Sequence, residues 1–505
     1  MESIWHKTAE FPEREAFAGS CFVDAAVIGG GLAGILTAYF LKQRGLKVIV
    51  LEADRIGGGQ TGNTTAKITV SHHLIYDRLI QQKGFEAARQ YAQINKQAIG
   101  QYARLIKRTG ISCDFREAPS YLYSVREKES LWREAAAAEK LGLSAALTNR
   151  TELPFSVEEA LCYEGQACFH PLKFLYGLAE ILLEQGVIIA EKTPAEQVVG
   201  NRVKTPYGII HAEHIVFASH YPFVNIPGYY FMRLHQERSY AAAFTGCPKL
   251  EGMYLGIDKT LPLDLPNSGG QALSFRSHGE YLILGGYGHR TGENLKGGQY
   301  RKLEELAKSY WPDCRQETCW SAQDGFAAGG VPFIGNYSFR KAKWYVAAGF
   351  QKWGMTSSMA AASIISSSIA GNEKQPPFAD VFSPQNFSVI SNMPKLIKEG
   401  IYAAKHLLKE KFTMPGKQLS NILPGQGGII HYQGEKRGVY KDKNGTLYFV
   451  TTKCPHLGCE LSWNPEEHSW DCPCHGSRFN HKGELLNNPA AKGIGIEIQN
   501  KKETM

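Results

Sequence analysis

Two short segments near the C-terminus carry the densest chemistry in the chain. Cys454-Pro455-His456-Leu457-Gly458-Cys459 is followed, twelve residues later, by Cys472-Pro473-Cys474-His475-Gly476-Ser477. A Cys-x-His arm and a Cys-x-x-His arm offer two thiolates and two imidazoles from two facing loops. Thiolates of Cys454 and Cys472 on one iron, with imidazoles of His456 and His475 on the other, form the donor set of a two-iron, two-sulfur centre. A structural zinc of the Cys2His2 kind pairs Cys-x2–4-Cys with His-x3–5-His. The interleaved order here, with two extra cysteines, does not fit that pattern. Imidazole ligands can lose protons when the iron is oxidised, so the midpoint potential is expected to fall as pH rises.

A second constellation lies near the N-terminus. The apolar run Asp24–Ile28 leads into Gly29-Gly30-Gly31-Leu32-Ala33-Gly34, then a helical pattern over Ile35–Gln43, a second apolar run Lys47–Leu51, and Glu52. Strand, glycine turn, helix, strand and acid in this order make the dinucleotide-binding βαβ unit. Gly29 permits the tight turn, Gly31 lets the backbone approach a pyrophosphate, and Gly34 lets the helix lie close on the strands. The helix N-terminus offers amide donors and its positive dipole end to that pyrophosphate. Glu52, 18 residues beyond Gly34, is placed to accept both ribose hydroxyls. The loop after it, from Glu52 to Lys67, is rich in glycine and hydroxyls and can wrap a ligand longer than NAD. Arg55, Gln60, Thr61, Thr64 and Thr65 on this loop are expected to contact FAD.

A further glycine motif, Gly285-Gly286-Tyr287-Gly288-His289-Arg290-Thr291-Gly292, has no acid at the end of a following strand, and Gly297-Gly298 interrupts the helix it would need. Direct use of NAD(P)H is therefore not expected.

With its long flavin loop, the sequence resembles the FAD-dependent D-amino-acid oxidase-like family, the group with glycine and sarcosine oxidases and related amine dehydrogenases. The resemblance continues through Trp320-Ser321-Ala322-Gln323-Asp324, Val331-Pro332-Phe333-Ile334-Gly335 and the stretch from Val346 to Thr356. By that resemblance Gly354, Met355 and Thr356 contact the flavin, opening a helix whose dipole would stabilise the negative charge of reduced flavin. The family also implies an arginine for a substrate carboxylate and aromatic residues above the flavin. Arg238, Tyr240, His289 and Arg290 are the catalytic candidates, with His72 or His73 after the flavin loop.

The two Cys/His arms closely resemble those of Rieske proteins of the cytochrome bc type. This resemblance implies a Cys459–Cys474 disulfide tying the cluster loops together and a Ser477 hydroxyl donating to a cluster sulfur. Phe479 stands where bc-type proteins carry a tyrosine donor. The potential is accordingly expected within the Rieske span of about −150 to +300 mV, below its top.

The elements that must position these groups read as an α/β chain: a Rossmann-type FAD-binding domain with an interleaved α+β substrate domain, followed by a small all-β Rieske domain. The expected boundaries are 1–375 for the oxidoreductase, 376–419 for a connector with a basic helix, and 420–505 for the Rieske domain. Helices are expected over Ile75–Ile106, Arg126–Leu141 and Met355–Ala370. Strands are expected over Glu196–Thr205, Ile209–Ser219 and Tyr240–Thr245. The connector helix, Lys395–Lys411, carries an apolar stripe of Ile397, Ile401, Ala404 and Leu408. Such a helix either lies on a membrane interface or packs its stripe on the neighbouring domain.

Composition bounds the function. The chain has 505 residues and a formal charge of +8, and residues 391–420 hold six Lys against two Glu, half of that net charge. The charge is local rather than a broad field, which argues against a nucleic-acid partner. No apolar run of 18 residues occurs, so a cytoplasmic protein without a transmembrane segment is expected, with peripheral membrane contact left open. A ring-hydroxylating oxygenase needs a mononuclear iron domain, and only 30 residues follow His475.

The expected function is a flavin-dependent oxidoreductase. It would oxidise a small amine or amino-acid-like substrate and pass single electrons through the Rieske cluster to an external acceptor, a quinone, cytochrome or similar. Two alternatives are reverse flow from cluster to flavin, for reductive or oxygenating chemistry, and a non-enzymatic redox sensor.

Overall fold

The computed structural model describes residues 1–258, 272–371, 379–387, 389–412 and 418–497. The chain forms two compact units. One contains Met1–His220, Ser239–Gly288 and Gln299–Phe387; the other contains Tyr221–Arg238, His289–Gly298 and Ser388–Met505. The expected boundary near residues 375 and 376 lies outside the described residues.

The first unit is built on an eight-stranded sheet. Its main path runs Gln197–Val199, Arg202–Thr205, Gly208–Phe217, Cys21–Ile28, Val48–Leu51, Ile188–Ala190, and Lys341–Ala348 with its hairpin partner Phe333–Ser338 adds to Gly208–Phe217. Cys21–Ile28 is parallel to both of its neighbours. Parallel strands covered on both faces read as continuous apolar runs, and Val48–Leu51 is buried throughout. The helix Leu32–Lys42 packs against the helix Gly354–Ala370. The two cofactor-facing helix starts expected from sequence thus belong to neighbouring helices.

A second eight-stranded sheet takes its strands from three stretches of sequence, residues 120–163, 234–290 and 315–327. These alternate along the chain with strands of the first sheet, which is the interleaved α+β arrangement.

Two expected elements are interrupted. Ile75–Ile106 becomes two helices, Tyr76–Lys83 and Phe85–Thr109, because Gly84 between them adopts φ +86, a left-handed geometry that glycine tolerates and a helix does not. Glu196–Thr205 becomes a hairpin, Gln197–Val199 against Arg202–Thr205.

The second unit holds two four-stranded antiparallel sheets. One runs Gly427–Tyr432, Glu435–Lys441, Leu447–Thr451, Gly495–Ile496; the other runs Ser462–Asn464, Ser469–Asp471, Arg478–Asn480, Leu485–Asn487. Val450, Leu461, Trp470, Phe479 and Ile494 form its core with the cluster-loop cysteines. The basic helix spans Val389–Phe412, longer than expected at its start. Among the described residues no helix is long and apolar enough to cross a membrane.

Candidate functional site

The glycine turn has the geometry a pyrophosphate needs. Gly29 has φ +116, and a Cβ there would meet the Ala218 carbonyl oxygen at 2.4 Å. A Cβ on Gly34 would meet the Gly29 oxygen at 1.9 Å, so the helix lies on the turn as closely as glycine allows. Gly31 is the N-cap of this helix and brings no side-chain cap.

Glu52 accepts from the Gly30 amide at 2.7 Å and from the Asp54 amide at 2.9 Å. Burial pushes its carboxyl up, while these amides pull it down. Each carboxylate oxygen retains a lone pair for a ribose hydroxyl.

The flavin loop is fastened by its own polar groups. Thr61 Oγ1 accepts from the Leu32 amide at 2.9 Å, capping the helix. Gln60 Oε1 accepts from the Gln323 amide. Thr64 Oγ1 accepts from the Ala66 amide at 2.9 Å, and the Thr65 carbonyl accepts from Arg276. Arg55 donates to the Phe11 carbonyl at 2.6 Å. These residues hold the loop's shape.

Sequence reasoning missed two further anchors of the loop. Trp5, fully buried, donates from Nε1 to the Thr64 carbonyl at 2.7 Å. The guanidinium of Arg276 lies 5.4 Å from the centre of the Trp5 ring. The signal available for the latter was an arginine at the centre of the strand Ser274–His278, whose middle three residues are buried.

At the start of the helix Gly354–Ala370, Thr356 Oγ1 lies 3.0 Å from His72 Nε2. His72 Nδ1 lies 2.6 Å from the Tyr91 hydroxyl, and its ring stacks on Trp353 at 4.8 Å. Burial holds the His72 imidazole down at about 3, which keeps it neutral. Met355 accepts from the Tyr102 hydroxyl through its carbonyl at 2.8 Å.

In the second unit, the influence of the buried Cys454 and Cys472 thiols on each other, ahead of burial itself, lowers Cys454 to about 7 and raises Cys472. The rings of His456 and His475 are 4.9 Å apart. Their Nδ1 atoms are buried and have no hydrogen-bond partner among the described residues. Buried imidazole nitrogens without partners cost stability, and iron coordination removes that cost. Ser477 accepts from the Ala490 amide at 2.9 Å, and its hydroxyl helps lower the Cys454 thiol. Cys459 and Cys474 form a disulfide with Cα atoms 6.6 Å apart. Although the sulfurs of Cys459, Cys472 and Cys474 lie within 4.8 Å of one another, a disulfide offers no thiolate. Cys454, His456, Cys472 and His475 remain as the set that fits a cluster.

Around these four residues lie two segments that sequence reading assigned to the oxidoreductase domain. His456 Nε2 is 3.0 Å from Asn225 Oδ1. Gln236 Nε2 donates to the His475 carbonyl at 2.8 Å and to the Asn488 carbonyl at 2.9 Å. The Phe231 ring stands edge-on to both histidines, at 6.0 and 5.9 Å. Nothing in the spacing of Asn225, Phe231 or Gln236 announced them.

Three of the four catalytic candidates lie in this same unit. Arg238 Nε donates to Glu467 at 3.0 Å, and both side chains are buried. Arg290 pairs with Glu399 at 2.7 Å, donates to the Pro473 and Cys474 carbonyls, and covers the Tyr402 ring. His289 Nδ1 lies 2.7 Å from the Arg290 carbonyl oxygen. Both arginines, taken from sequence as partners for a substrate carboxylate, are paired with carboxylates of the chain itself. Tyr240 belongs to the first unit, buried edge-on against Tyr300.

The glycines after Arg290 also serve this unit. A Cβ on Gly292 would meet Pro473 at 2.8 Å, and the Gly298 amide donates to Glu466.

Residues 24–367 match the family described as FAD dependent oxidoreductase. The chain belongs to that family. Residues 414–498 of this FAD-dependent oxidoreductase match the Rieske [2Fe-2S] domain. Its cofactors are therefore FAD and one [2Fe-2S] cluster. The oxidoreductase is 37% identical over 505 residues to the Rieske 2Fe-2S iron-sulfur protein YhfW of Bacillus subtilis (strain 168), covering 98% of this chain and 97% of that one. It is 25% identical over 205 residues to gamma-glutamylputrescine oxidoreductase of Escherichia coli (strain K12), covering 39% of this chain and 48% of that one. Among solved structures, glycine oxidase from Geobacillus kaustophilus superposes with a TM-score of 0.59 at 17% identity, over 73% of this chain and 99% of that one. That last likeness is one of fold. The chain is thus an FAD oxidoreductase of the amine and amino-acid oxidase type that carries a Rieske domain.

Proposed function

We propose that this oxidoreductase oxidises an amine or amino-acid-like substrate and delivers the electrons one at a time to an external acceptor. The observation that carries this reading is the folding of Tyr221–Arg238 and His289–Gly298 into one unit with the four cluster-ligand residues, where Asn225 and Gln236 hold His456 and His475. Bound FAD supplies two-electron removal from a carbon–nitrogen bond, and a bound [2Fe-2S] cluster supplies one-electron transfer.

The chain's own residues prepare both sites. Gly29, Gly31 and Gly34 leave room for a pyrophosphate, and Glu52 accepts from ribose hydroxyls. Trp5 and Arg276 clamp the flavin loop. Neutral His72 orients Thr356 at the start of the helix Gly354–Ala370, whose positive end favours negative charge nearby. Cys454 and Cys472 supply thiolates, and His456 and His475 supply Nδ1. Gamma-glutamylputrescine oxidoreductase and glycine oxidase are named for amine-bearing substrates, which supports the substrate class.

Anaerobic stopped-flow mixing with a panel of amines and amino acids tests the reading. Flavin bleaching followed by cluster reduction is the expected sequence. Absence of bleaching with every amine overturns it, and cluster reduction by an external donor preceding flavin reduction reverses the direction of flow.

A further inference from the structure

The helix Val389–Phe412 has its amphipathic faces in an unusual order. On the inward side Asn392 is buried, Glu399 pairs with Arg290, Tyr402 donates to Glu293 at 2.7 Å, and Ala403 packs on the core that contains the cluster cysteines. On the opposite side Met393, Ile397 and Ile401 are 41%, 53% and 65% exposed. Their spacing of four, with Ala404 three residues on, places them in one stripe. A polar inward face and an apolar outward face invert the pattern of a helix that ends at water.

Lysines border this stripe. Lys398 and Lys405 are exposed, and every exposed residue described on the helix is apolar, glycine, proline or lysine, with none acidic. Glu399 is turned inward and neutralised by Arg290. The turn Tyr230–Met232 packs against this helix, and Met232 is 56% exposed.

We propose that this helix docks the cluster-bearing unit on an anionic lipid surface. Met393, Ile397 and Ile401 enter the boundary between headgroups and acyl chains, and Lys398 and Lys405 meet lipid phosphates. Charge selects this occupant. A second copy of the chain, packed stripe to stripe about a two-fold axis, would bring the lysine borders together if its helix ran antiparallel, and would leave them facing the glycine and leucine border without a counter-charge if it ran parallel. The helix lies on the membrane and does not cross it. The proposal is independent of the direction of electron flow, because docking is read without turnover.

The test is co-sedimentation of the full-length holoprotein with vesicles of phosphatidylglycerol and phosphatidylcholine, against vesicles of phosphatidylcholine alone. Binding to the anionic vesicles that weakens with added salt is expected. Ile397→Ser with Ile401→Ser, and separately Lys398→Glu with Lys405→Glu, should each weaken it at least about tenfold, about 1.4 kcal/mol, with flavin and cluster absorbance unchanged. No sedimentation with anionic vesicles overturns the proposal, as does undiminished binding by the Ile397→Ser/Ile401→Ser protein. A lipid-free dimer that this double substitution turns into a monomer also overturns it, since a second copy would then cover the stripe.

Discussion

The Nε2 atom of His456 lies 3.0 Å from the side-chain oxygen of Asn225, 231 residues away in sequence. Asn225 thereby holds His456 at Nε2, and the other ring nitrogen, Nδ1, is buried with no hydrogen-bond partner among the described residues, so it would be the atom left to bind iron. Partners of this kind orient metal-bound imidazoles and raise their basicity.

Replacing Asn225 by Leu removes that acceptor. An imidazole N–H donates more strongly when its iron is oxidised, so the bond favours the oxidised cluster and its loss should raise the midpoint. A difference of about 1 kcal/mol between the two states corresponds to about 40 mV for a one-electron couple. Redox titration followed by EPR at one pH measures it, and an unchanged or lowered midpoint counts against the role.

Arg238 and Glu467 form a buried pair, with Arg478 also 3.2 Å from Glu467. Arg238→Met leaves Glu467 short of one cation with Arg478 still beside it, so the cost falls below the about 3–5 kcal/mol of a buried charge left wholly unpaired. Thermal loss of cluster absorbance should therefore come earlier in Arg238→Met, and Arg238→Met with Glu467→Leu should recover part of the loss. If Arg238 instead serves a substrate carboxylate, the single variant will raise KM while the thermal midpoint stays put.

Trp5 ties the N-terminal helix Ile4–Lys7 to the flavin loop. Trp5→Ala removes a fully buried indole, a change that costs about 3–5 kcal/mol, and frees the Thr64 carbonyl. Release of FAD on dilution, read as flavin fluorescence, should accelerate while the cluster EPR signal is unaltered. Equal FAD retention would show that the loop holds its shape without this clamp.

Acid should weaken the first unit through its neutral histidines. Burial holds His72 and His170 at about 3 and His278 at about 4, against an ordinary 6.5. Between pH 6.5 and these values the unfolded chain takes up protons that the folded chain refuses, so stability is lost as pH falls. Each group contributes a slope of up to about 1.4 kcal/mol per pH unit. His72→Gln, which can keep hydrogen bonds to Tyr91 and Thr356, should flatten the profile from pH 6.5 to 4 by one group's share. A slope parallel to the parent protein would mean that His72 is not buried as the neutral form.

Sequence alone determined the cofactor classes and the fold type, because both are written in short-range spacing. Cys454 to His475 span 22 residues and the first strand, glycine turn, helix, second strand and Glu52 span about 30, so donor order and periodicity are readable without knowing how the chain returns on itself. Breaks at single glycines, such as Gly84, were readable in principle and lost to the longer apolar period around them. Tertiary structure alone decided the company these groups keep. Asn225 meets His456, Gln236 meets His475, and Arg238 meets Glu467 across more than two hundred residues, and no local pattern encodes such pairs. The arginines that the family resemblance suggested for a substrate carboxylate are paired with carboxylates within the chain. A buried guanidinium must be paired, and which acid pairs with it depends on the packed fold.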